Sequence, residues 1–232
     1  MRGLSTSSDE ASSDPGPAND SGTKDPAAKI LAGAMRHVES LGFTVEAMQK
    51  AAEELGYSRA VANMFPRAEA ELIEHFLESA RAETNAELES MREELAAMRV
   101  RDRVATGVRL RLKQLAPYVH TWPRAMYILS QPQNAARSLH ELHLIVDDIW
   151  HAAGDTSVDM NWYSKRLLLA GCYTSSELFM LTDASPDFEE TYHYVDRALD
   201  RVLRAGKAGS DVIKWLENVG HSGASKPPNT KV

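Results

Sequence analysis

The chain of 232 residues has one cysteine, Cys172, and no long hydrophobic run. A single thiol excludes an intrachain disulfide framework and fits a reducing compartment. No apolar run approaches the roughly 20 residues that a membrane-spanning helix needs. We therefore expect a soluble protein, or one that at most lies on a membrane surface.

Glycine and proline are also scarce, and the net charge is negative rather than positive. The 13 glycines and 10 prolines favour long helices over a β-sandwich with many turns. The net charge of −7 argues against an electrostatic grip on nucleic acid. What is present is 43% hydrophobic residues, enough for one sizeable core. Because no stretch alternates with period two, we predict an all-α fold of about nine or ten helices.

The apolar pattern divides the chain into four parts. Residues 1–25 have almost no large apolar side chains and are predicted to be disordered. Residues 26–66 read as a helix-turn-helix-like module, and residues 67–205 as the main helical domain. Residues 206–232 would contain a short amphipathic helix and a disordered tail.

Helix boundaries follow from capping signals. Gly42 is a predicted C-cap, and Thr44 and Ser58 are predicted N-caps of the next two short helices. One long helix is predicted from Arg67 to about Arg99. Residues 161–181 are apolar nearly all round, which predicts a central buried helix. Ser185, followed by proline and acids, predicts another helix start.

A metal site is the first catalytic interpretation of the sequence. Asp148 and His151, and likewise Glu190 and His193, have the carboxylate-x-x-His spacing of di-iron bundles. That pattern needs Glu in both pairs and two further glutamates, all facing the core. We therefore favour ordinary polar helix faces, and a helical di-metal oxygenase is the second alternative function.

The N-terminal module suggests a DNA-binding protein as the first alternative, a tetracycline-repressor-like, ligand-responsive transcription regulator. Its candidate recognition helix offers only Arg59 and Asn63 as base readers. Lys50, Arg59 and Arg67 are the nearby cations, and more acids than cations surround them. The module is therefore predicted to be structural rather than a reader of DNA.

Large apolar side chains are in excess in the second half of the chain. They either fill the core or line a cavity for a long apolar ligand, and both interpretations stay open. The candidate lipid-binding residues are Leu110, Leu112, Leu115, Met126, Leu129, Ile145, Leu168, Leu169, Cys172 and Met180.

An aromatic turn, defined here as residues 147–166, joins two predicted helices. Trp150, Trp162 and Tyr163 lie around an acidic segment that contains a glycine. Aromatic and arginine side chains beside a turn are typical of protein interfaces. The alternative, equally open, is that both tryptophans pack inward and lock the two helices together.

Several motifs in this order resemble the family of lipid-binding accessory proteins of coenzyme Q (ubiquinone) biosynthesis. The resemblance covers roughly residues 30–203. The motifs are FTVEA at 43–47, MF at 64–65, LRL at 110–112, PY at 117–118, WPRA at 122–125, VDDIWH at 146–151, GD at 154–155, NWY at 161–163 and SPDFEET at 185–191.

The resemblance implies a non-enzymatic protein with a tetracycline-repressor-like fold, no DNA-binding activity and a homodimeric state. It implies an isoprenoid lipid in an apolar pocket and a peripheral place on the matrix side of the mitochondrial inner membrane. The implied partner is the di-iron demethoxyubiquinone hydroxylase, to which the protein presents substrate. No catalytic residue, metal or cofactor is implied for this chain, because the iron belongs to the partner.

The resemblance also assigns two surfaces. The family's membrane-binding helix corresponds here to a short stretch whose apolar residues give only weak attachment. Its members are Val212, Ile213, Trp215 and Leu216. The family's partner-binding patch maps onto Asp147, Ile149, Trp150, Asp159, Trp162, Tyr163 and Arg166.

Overall fold

A computed structural model describes residues 25–155, 160–202 and 204. Within these residues it contains nine α-helices and no β-strand, which confirms the predicted all-α fold. The helices are α1 Pro26–Leu41, α2 Val45–Glu54, α3 Glu69–Ser90, α4 Arg92–Ala97, α5 Val100–Leu115, α6 Trp122–Leu129, α7 Pro132–Ala152, α8 Met160–Met180 and α9 189–202. Three short 3₁₀ helices, Arg59–Met64, Ala116–Tyr118 and Pro186–Phe188, join them.

The predicted caps of the N-terminal module are present. Gly42 ends α1 with a positive φ of 72°, and its N–H donates to the Val38 carbonyl. Thr44 Oγ1 accepts from the Ala47 N–H at the start of α2. The third element, Arg59–Met64, is a 3₁₀ helix rather than an α-helix. The module therefore lacks a regular third helix of the length that regulators insert into the major groove.

The long helix predicted from Arg67 to Arg99 was wrong, because the chain bends at Met91 and again before α5. Met91 has φ −94° and ψ 10° and separates α3 from α4. Arg103 stabilises the second bend by donating to the carbonyls of Ala96, Met98 and Ala153. These bonds satisfy free carbonyls at the end of α4 and tie it to the end of α7.

The helix predicted to start at Ser185 begins instead after a strained 3₁₀ turn. Asp187 and Phe188 have φ values of 51° and 59°, so α9 begins only at residue 189. Asp183 fixes this turn by accepting from the N–H groups of Ser185 and Thr191 and from the Thr191 hydroxyl. Desolvation opposes ionisation, but these hydrogen bonds lower the pKa of Asp183 to about 2.

The core forms where α3, α5, α6 and α7 pack together. Phe43, Phe76, Tyr118 and Trp122 make a cluster with ring centroids 5.0 to 5.9 Å apart. Gly107 on α5 approaches α7 so closely that a Cβ there would lie 2.9 Å from Ile149 Cγ2. This close approach fixes the end of α7, which begins the aromatic turn.

Helix α8 is not the fully buried helix that the sequence predicted. Leu167 is 76% exposed and Leu178 is 52% exposed, although Tyr173 and Met180 are buried. Gly171 lies between the two exposed leucines, and nothing approaches its open side within 4 Å. The apolar residues of α8 therefore form two faces, one in the core and one on the surface.

Candidate functional site

An apolar groove opens between α3, α6, α7 and α8, with a volume of about 320 Å³. Leu77, Met126, Leu142 and Ile145 line it. Leu139, which is 67% exposed, also lines it where it meets solvent. Ligand pockets are usually ~300–1,000 Å³, so the groove suits one end of a long apolar molecule better than the whole of it.

A few polar side chains interrupt this apolar lining. The Tyr173 hydroxyl donates to Glu177 Oε1 over 2.6 Å, and both side chains line the groove. Burial raises the pKa of the Glu177 carboxyl, although the Tyr173 hydrogen bond and the charge of Arg111 act against it. Burial likewise raises the pKa of Tyr173 well above its ordinary value. A neutral Tyr173 hydroxyl is therefore a permanent donor at neutral pH.

Arg111 on α5 is buried beside this pair. It is 1% exposed, and its guanidinium carbon lies 5.6 Å from the centre of the Phe76 ring. Its Nε and Nη1 have no hydrogen-bond partner. Neither spacing nor composition identified Arg111, Tyr173 or Glu177 as candidate site residues. The available signal was a polar residue at a position where the helical period places a core side chain.

The ten candidate lipid-binding residues separate into two groups. Three of them, Met126, Leu129 and Ile145, line the groove. The other seven lie outside this groove. Leu112, Leu115, Leu169 and Met180 are buried in the core, Leu168 and Cys172 lie between α8 and α9, and Leu110 is partly buried. Burial raises the pKa of the Cys172 thiol to about 11.

The aromatic turn is held by buried ion pairs. Arg166 is 7% exposed; its Nε donates to Asp147 over 2.6 Å and its Nη1 to Asp155 over 3.3 Å. Lys165 also donates to Asp155, over 2.6 Å. Trp150 is 7% exposed, and its indole N–H donates to the Lys165 carbonyl. These contacts connect the end of α7 to the start of α8.

Trp162 and Tyr163 lie at the surface of the described part of the aromatic turn. Tyr163 is 68% exposed, and the two ring centroids are 4.7 Å apart. The Arg166 guanidinium carbon lies over the Trp162 ring, 4.0 Å from its centre. Part of the predicted partner patch is therefore internal. Ile149, Trp150 and Arg166 are buried and support the surface, Asp147 is half-buried, and Asp159 lies outside the described residues.

The carboxylate-x-x-His pairs do not assemble a metal site in the described residues. No group of three or more His, Cys, Asp or Glu side chains that could hold a metal ion is found there. Asp148 Oδ2 instead accepts from Arg81 over 3.0 Å and from Asn85 over 2.7 Å. On α9, His193 pairs with Glu189, one turn earlier on the same helix. It does not join Asp148 and His151 in a metal-binding group.

The cations of the N-terminal module are engaged within the chain. Arg59 pairs with Glu53 over 3.5 Å and donates to Gln49. Arg67 makes a two-point contact with Glu74. Phosphate binding by either arginine would have to break these contacts first.

Residues 1–24 and most of the chain after residue 202 lie outside the described range, and so do Val212, Ile213, Trp215 and Leu216. None of the described helices is long and apolar enough to cross a bilayer.

Comparison with known proteins supplies the family. A family model described as COQ9 matches residues 135–206, which include the aromatic turn and most of α7 and α8. The chain is 34% identical over 197 residues to ubiquinone biosynthesis protein COQ9-B of Xenopus laevis, a match that covers 82% of this chain and 67% of that protein. The chain belongs to the COQ9 family.

Other COQ9 proteins agree with this assignment. The rat protein is 41% identical over 189 residues, and the match covers 79% of this chain and 61% of the rat protein. The human protein is 38% identical over 189 residues, covering 79% of this chain and 59% of the human protein. Both relatives are named as mitochondrial ubiquinone biosynthesis proteins. The chain spans about 60% of the length of these curated relatives.

The fold also resembles that of a solved bacterial structure outside the COQ9 family. A TetR transcriptional regulator from Nitrosomonas europaea superimposes with a TM-score of 0.60, covering 77% of this chain and 99% of the regulator, at 16% identity. At that identity the likeness concerns the fold alone, and it confirms the tetracycline-repressor-like architecture. In this COQ9-family chain the corresponding first module carries paired arginines and a 3₁₀ helix.

Proposed function

We propose that this protein takes part in mitochondrial ubiquinone biosynthesis as a non-enzymatic lipid-binding protein, bound peripherally to the matrix side of the inner membrane. It would hold one end of an isoprenoid intermediate in the groove between α3, α6, α7 and α8 and present it to the demethoxyubiquinone hydroxylase. The observation that carries this proposal is the groove itself. Large apolar side chains line an open space of about 320 Å³ and leave it unfilled.

The apolar lining supports a lipid rather than a polar metabolite. Burial of apolar surface contributes about 25 cal/mol per Å², so an isoprenoid chain gains affinity along the whole groove. A polar metabolite would lose hydration there without gaining enough partners. Extraction of the purified protein with organic solvent, followed by mass spectrometry, is expected to yield a prenylated compound. An extract free of lipid would contradict the proposal.

The hydroxylase would dock on the aromatic turn. Trp162 and Tyr163 offer a rigid aromatic surface, and the ion pairs of Arg166 fix the backbone that carries it. Rigid aromatic side chains on a supported surface are frequent energetic centres of protein interfaces. The aromatic turn lies within the region that the COQ9 family model matches.

Trp162→Ala tests this docking face. We expect at least a tenfold loss of hydroxylase binding, since interface hot spots cost about 2 kcal/mol or more. The thermal midpoint should change by only a few degrees, because Trp162 is partly buried at the edge of the core rather than within it. Tyr57→Ala, which removes an exposed aromatic of the N-terminal module, is the matched control. Equal loss of binding in both variants would contradict the proposed face.

A second copy of the chain would cover the exposed apolar face of α8. Leu167, Gly171 and Leu178 lie along one side of the helix, and the open side of Gly171 permits close helix approach. We propose that two copies associate through α8 and α9. Sedimentation equilibrium should give twice the mass of the chain, and a monomer at micromolar concentration would contradict this.

A transcription regulator with this fold would bind DNA. The pairing of Arg59 and Arg67 within the chain argues against it. A gel-shift assay at low salt is expected to show no sequence-specific complex. A reproducible specific complex would favour the regulator over the lipid-binding protein.

A further inference from the structure

The groove and the aromatic turn are built on the same two helices. Helix α7 contributes Leu142 and Ile145 to the groove and ends at Ala152, within the aromatic turn. Helix α8 begins in the same turn and contributes Tyr173 and Glu177 to the groove wall. A change in the packing of α7 against α8 along the groove therefore reaches the turn that joins them.

The buried side of α7 connects the two regions without a gap. Ile145 lines the groove, and Ile149, one turn later, packs against Gly107 of α5, where a Cβ would lie 2.9 Å from Ile149 Cγ2. Trp150 follows, and its indole N–H donates to the Lys165 carbonyl on α8. Closely packed interiors pass a displacement on because they have little free volume to absorb it. Helices α5, α7 and α8 therefore move together near the turn.

The groove wall contains a carboxyl group with two partners within the fold. Glu177 is buried, and the Tyr173 hydroxyl donates to its Oε1 over 2.6 Å from one turn earlier in α8. Arg111 on α5 is buried behind this pair, and its charge acts on both side chains. The Nε and Nη1 groups of Arg111 have no acceptor, which is costly for a buried cation. Glu177 therefore has a second arrangement open to it, in which Arg111 is the donor.

Filling the groove favours that second arrangement. A molecule in the groove takes space at the wall where Glu177 lies and pushes its carboxyl group toward the core, where Arg111 offers two donors. A hydrogen bond between charged groups is stronger than the neutral one to Tyr173. Arg111 also lies one helical turn after Gly107 on the same face of α5. A movement of Arg111 is therefore transmitted to the surface that packs on Ile149.

We infer that occupancy of the groove is coupled to docking on the aromatic turn, with Arg111 and Glu177 as the coupling pair. The inference rests on the proposed function and adds that the partner binds the loaded protein more tightly than the empty one. A filled groove fixes α7 against α8, so the turn loses less conformational freedom when the partner docks. Such coupling is reciprocal, and the partner tightens ligand binding by the same factor.

Hydrogen exchange measures the coupling without a partner protein. Farnesol is the probe ligand, and the readout is the exchange rate of the amides of residues 163–169 at the start of α8, none of which lines the groove. We expect saturating farnesol to slow their exchange about tenfold, because it disfavours local opening of the turn. The amides of residues 49–54 in α2 are the control and should exchange at the same rate with and without farnesol.

Variants of the coupling pair supply the second test. Arg111→Met changes no groove-lining residue, so farnesol should still bind, but the slowing at residues 163–169 should fall below about twofold. Glu177→Gln keeps an acceptor for Tyr173 and removes the charge that Arg111 would pair with, and it should give the same loss. Lys113→Met removes an exposed cation from the same helix as Arg111 and is the matched control that keeps the full effect.

Partner binding gives an independent readout. In fluorescence anisotropy with labelled demethoxyubiquinone hydroxylase, the wild type saturated with farnesol should bind about tenfold more tightly than the empty protein. Arg111→Met should bind equally well in both states. Ala135→Trp, whose indole fills the groove, controls for farnesol that acts on the hydroxylase directly, and its binding should not depend on farnesol.

The outcomes separate this inference from the function on which it rests. Farnesol that binds without slowing exchange at residues 163–169 overturns the coupling and leaves lipid binding intact. Equal slowing in α2, or full slowing in Arg111→Met, likewise overturns coupling through this pair. Failure of farnesol to bind the wild type overturns both. If Glu177→Gln unfolds the chain, Arg111→Met still decides the question, because the Nε and Nη1 groups that it removes make no hydrogen bond.

Discussion

The groove region and the aromatic turn differ in whether their buried hydrogen-bond donors have acceptors. In the aromatic turn, Arg166 pairs with Asp147 and Asp155. In the groove region, Arg111 is equally buried, but its Nε and Nη1 lack acceptors, and so does the indole N–H of Trp122. The paired arginine fixes the surface on which we propose that the partner docks. Trp122 lines the groove, whereas Arg111 lies in the core beside the Tyr173–Glu177 pair that lines it. The ion pairs of the aromatic turn are therefore structural, and the unpaired donors lie in and behind the groove wall.

The largest expected effect comes from breaking the paired cluster. Arg166→Met should lower the free energy of unfolding by about 3 kcal/mol, because it removes the buried guanidinium that pairs with both Asp147 and Asp155 and leaves Asp155 only part of its compensating charge, from Lys165. Urea denaturation followed by circular dichroism measures the change. Arg92→Met, whose pair with Glu89 is exposed, is the control and should cost less than about 0.5 kcal/mol. Equal costs for the two variants would mean that the ion pairs of the aromatic turn are not structural.

A smaller effect is expected at Asp183, a paired carboxylate outside both regions. Its hydrogen bonds to Ser185 and Thr191 hold α9 in place, so Asp183→Ala should cost about 1 kcal/mol. Since the pKa of Asp183 is about 2 in the folded chain and 3.8 ordinarily, its contribution is complete above about pH 4. It is lost as pH falls toward 2, and Asp183→Ala should be less sensitive to acid over that interval.

The pH profile of unfolding checks this assignment. Thermal unfolding of the wild type and the variant should differ at neutral pH and converge near pH 2. A constant difference between the two proteins over the whole range would contradict the role given to the Asp183 carboxylate.

The smallest stability effect is expected at Arg111, where the same substitution that breaks the aromatic turn should be nearly harmless. Arg111→Met removes a buried cation whose Nε and Nη1 make no hydrogen bond, and methionine fills a similar volume. We expect a change of less than about 1 kcal/mol in either direction. A loss as large as that of Arg166→Met, in the same urea titration, would show that Arg111 is structural and would remove the contrast between the two regions.

Periodicity and caps predicted most of the fold. The predictions at Gly42, Thr44 and Ser58 were confirmed because capping depends on local hydrogen bonds that the sequence specifies. The break at Met91 was missed because the apolar period continues through it: Leu88 and Leu95 are both buried. The second bend, between α4 and α5, was missed because it depends on Arg103, which donates from α5 back to the Ala96 carbonyl.

The site was less predictable for a similar reason. Only three of the ten candidate lipid-binding residues line the groove, because periodicity does not distinguish core packing from a cavity. Arg111 on α5 and Glu177 on α8 are far apart in the sequence, and only the fold brings the Arg111 charge close enough to lower the pKa of the Glu177 carboxyl. Trp150 and Trp162 have the same side chain and differ in burial, since one ends α7 inside the core and the other begins α8 at its edge.

The central claim, that the groove holds a lipid, is tested most directly by native mass spectrometry of two neighbouring variants. Ala135 lines the groove, whereas Ala136 is exposed outside it. The wild type and Ala136→Trp should carry an apolar ligand that organic solvent releases, and Ala135→Trp should lose it because the indole fills the groove. An equal ligand content in both tryptophan variants, or a ligand-free wild type, would contradict the claim.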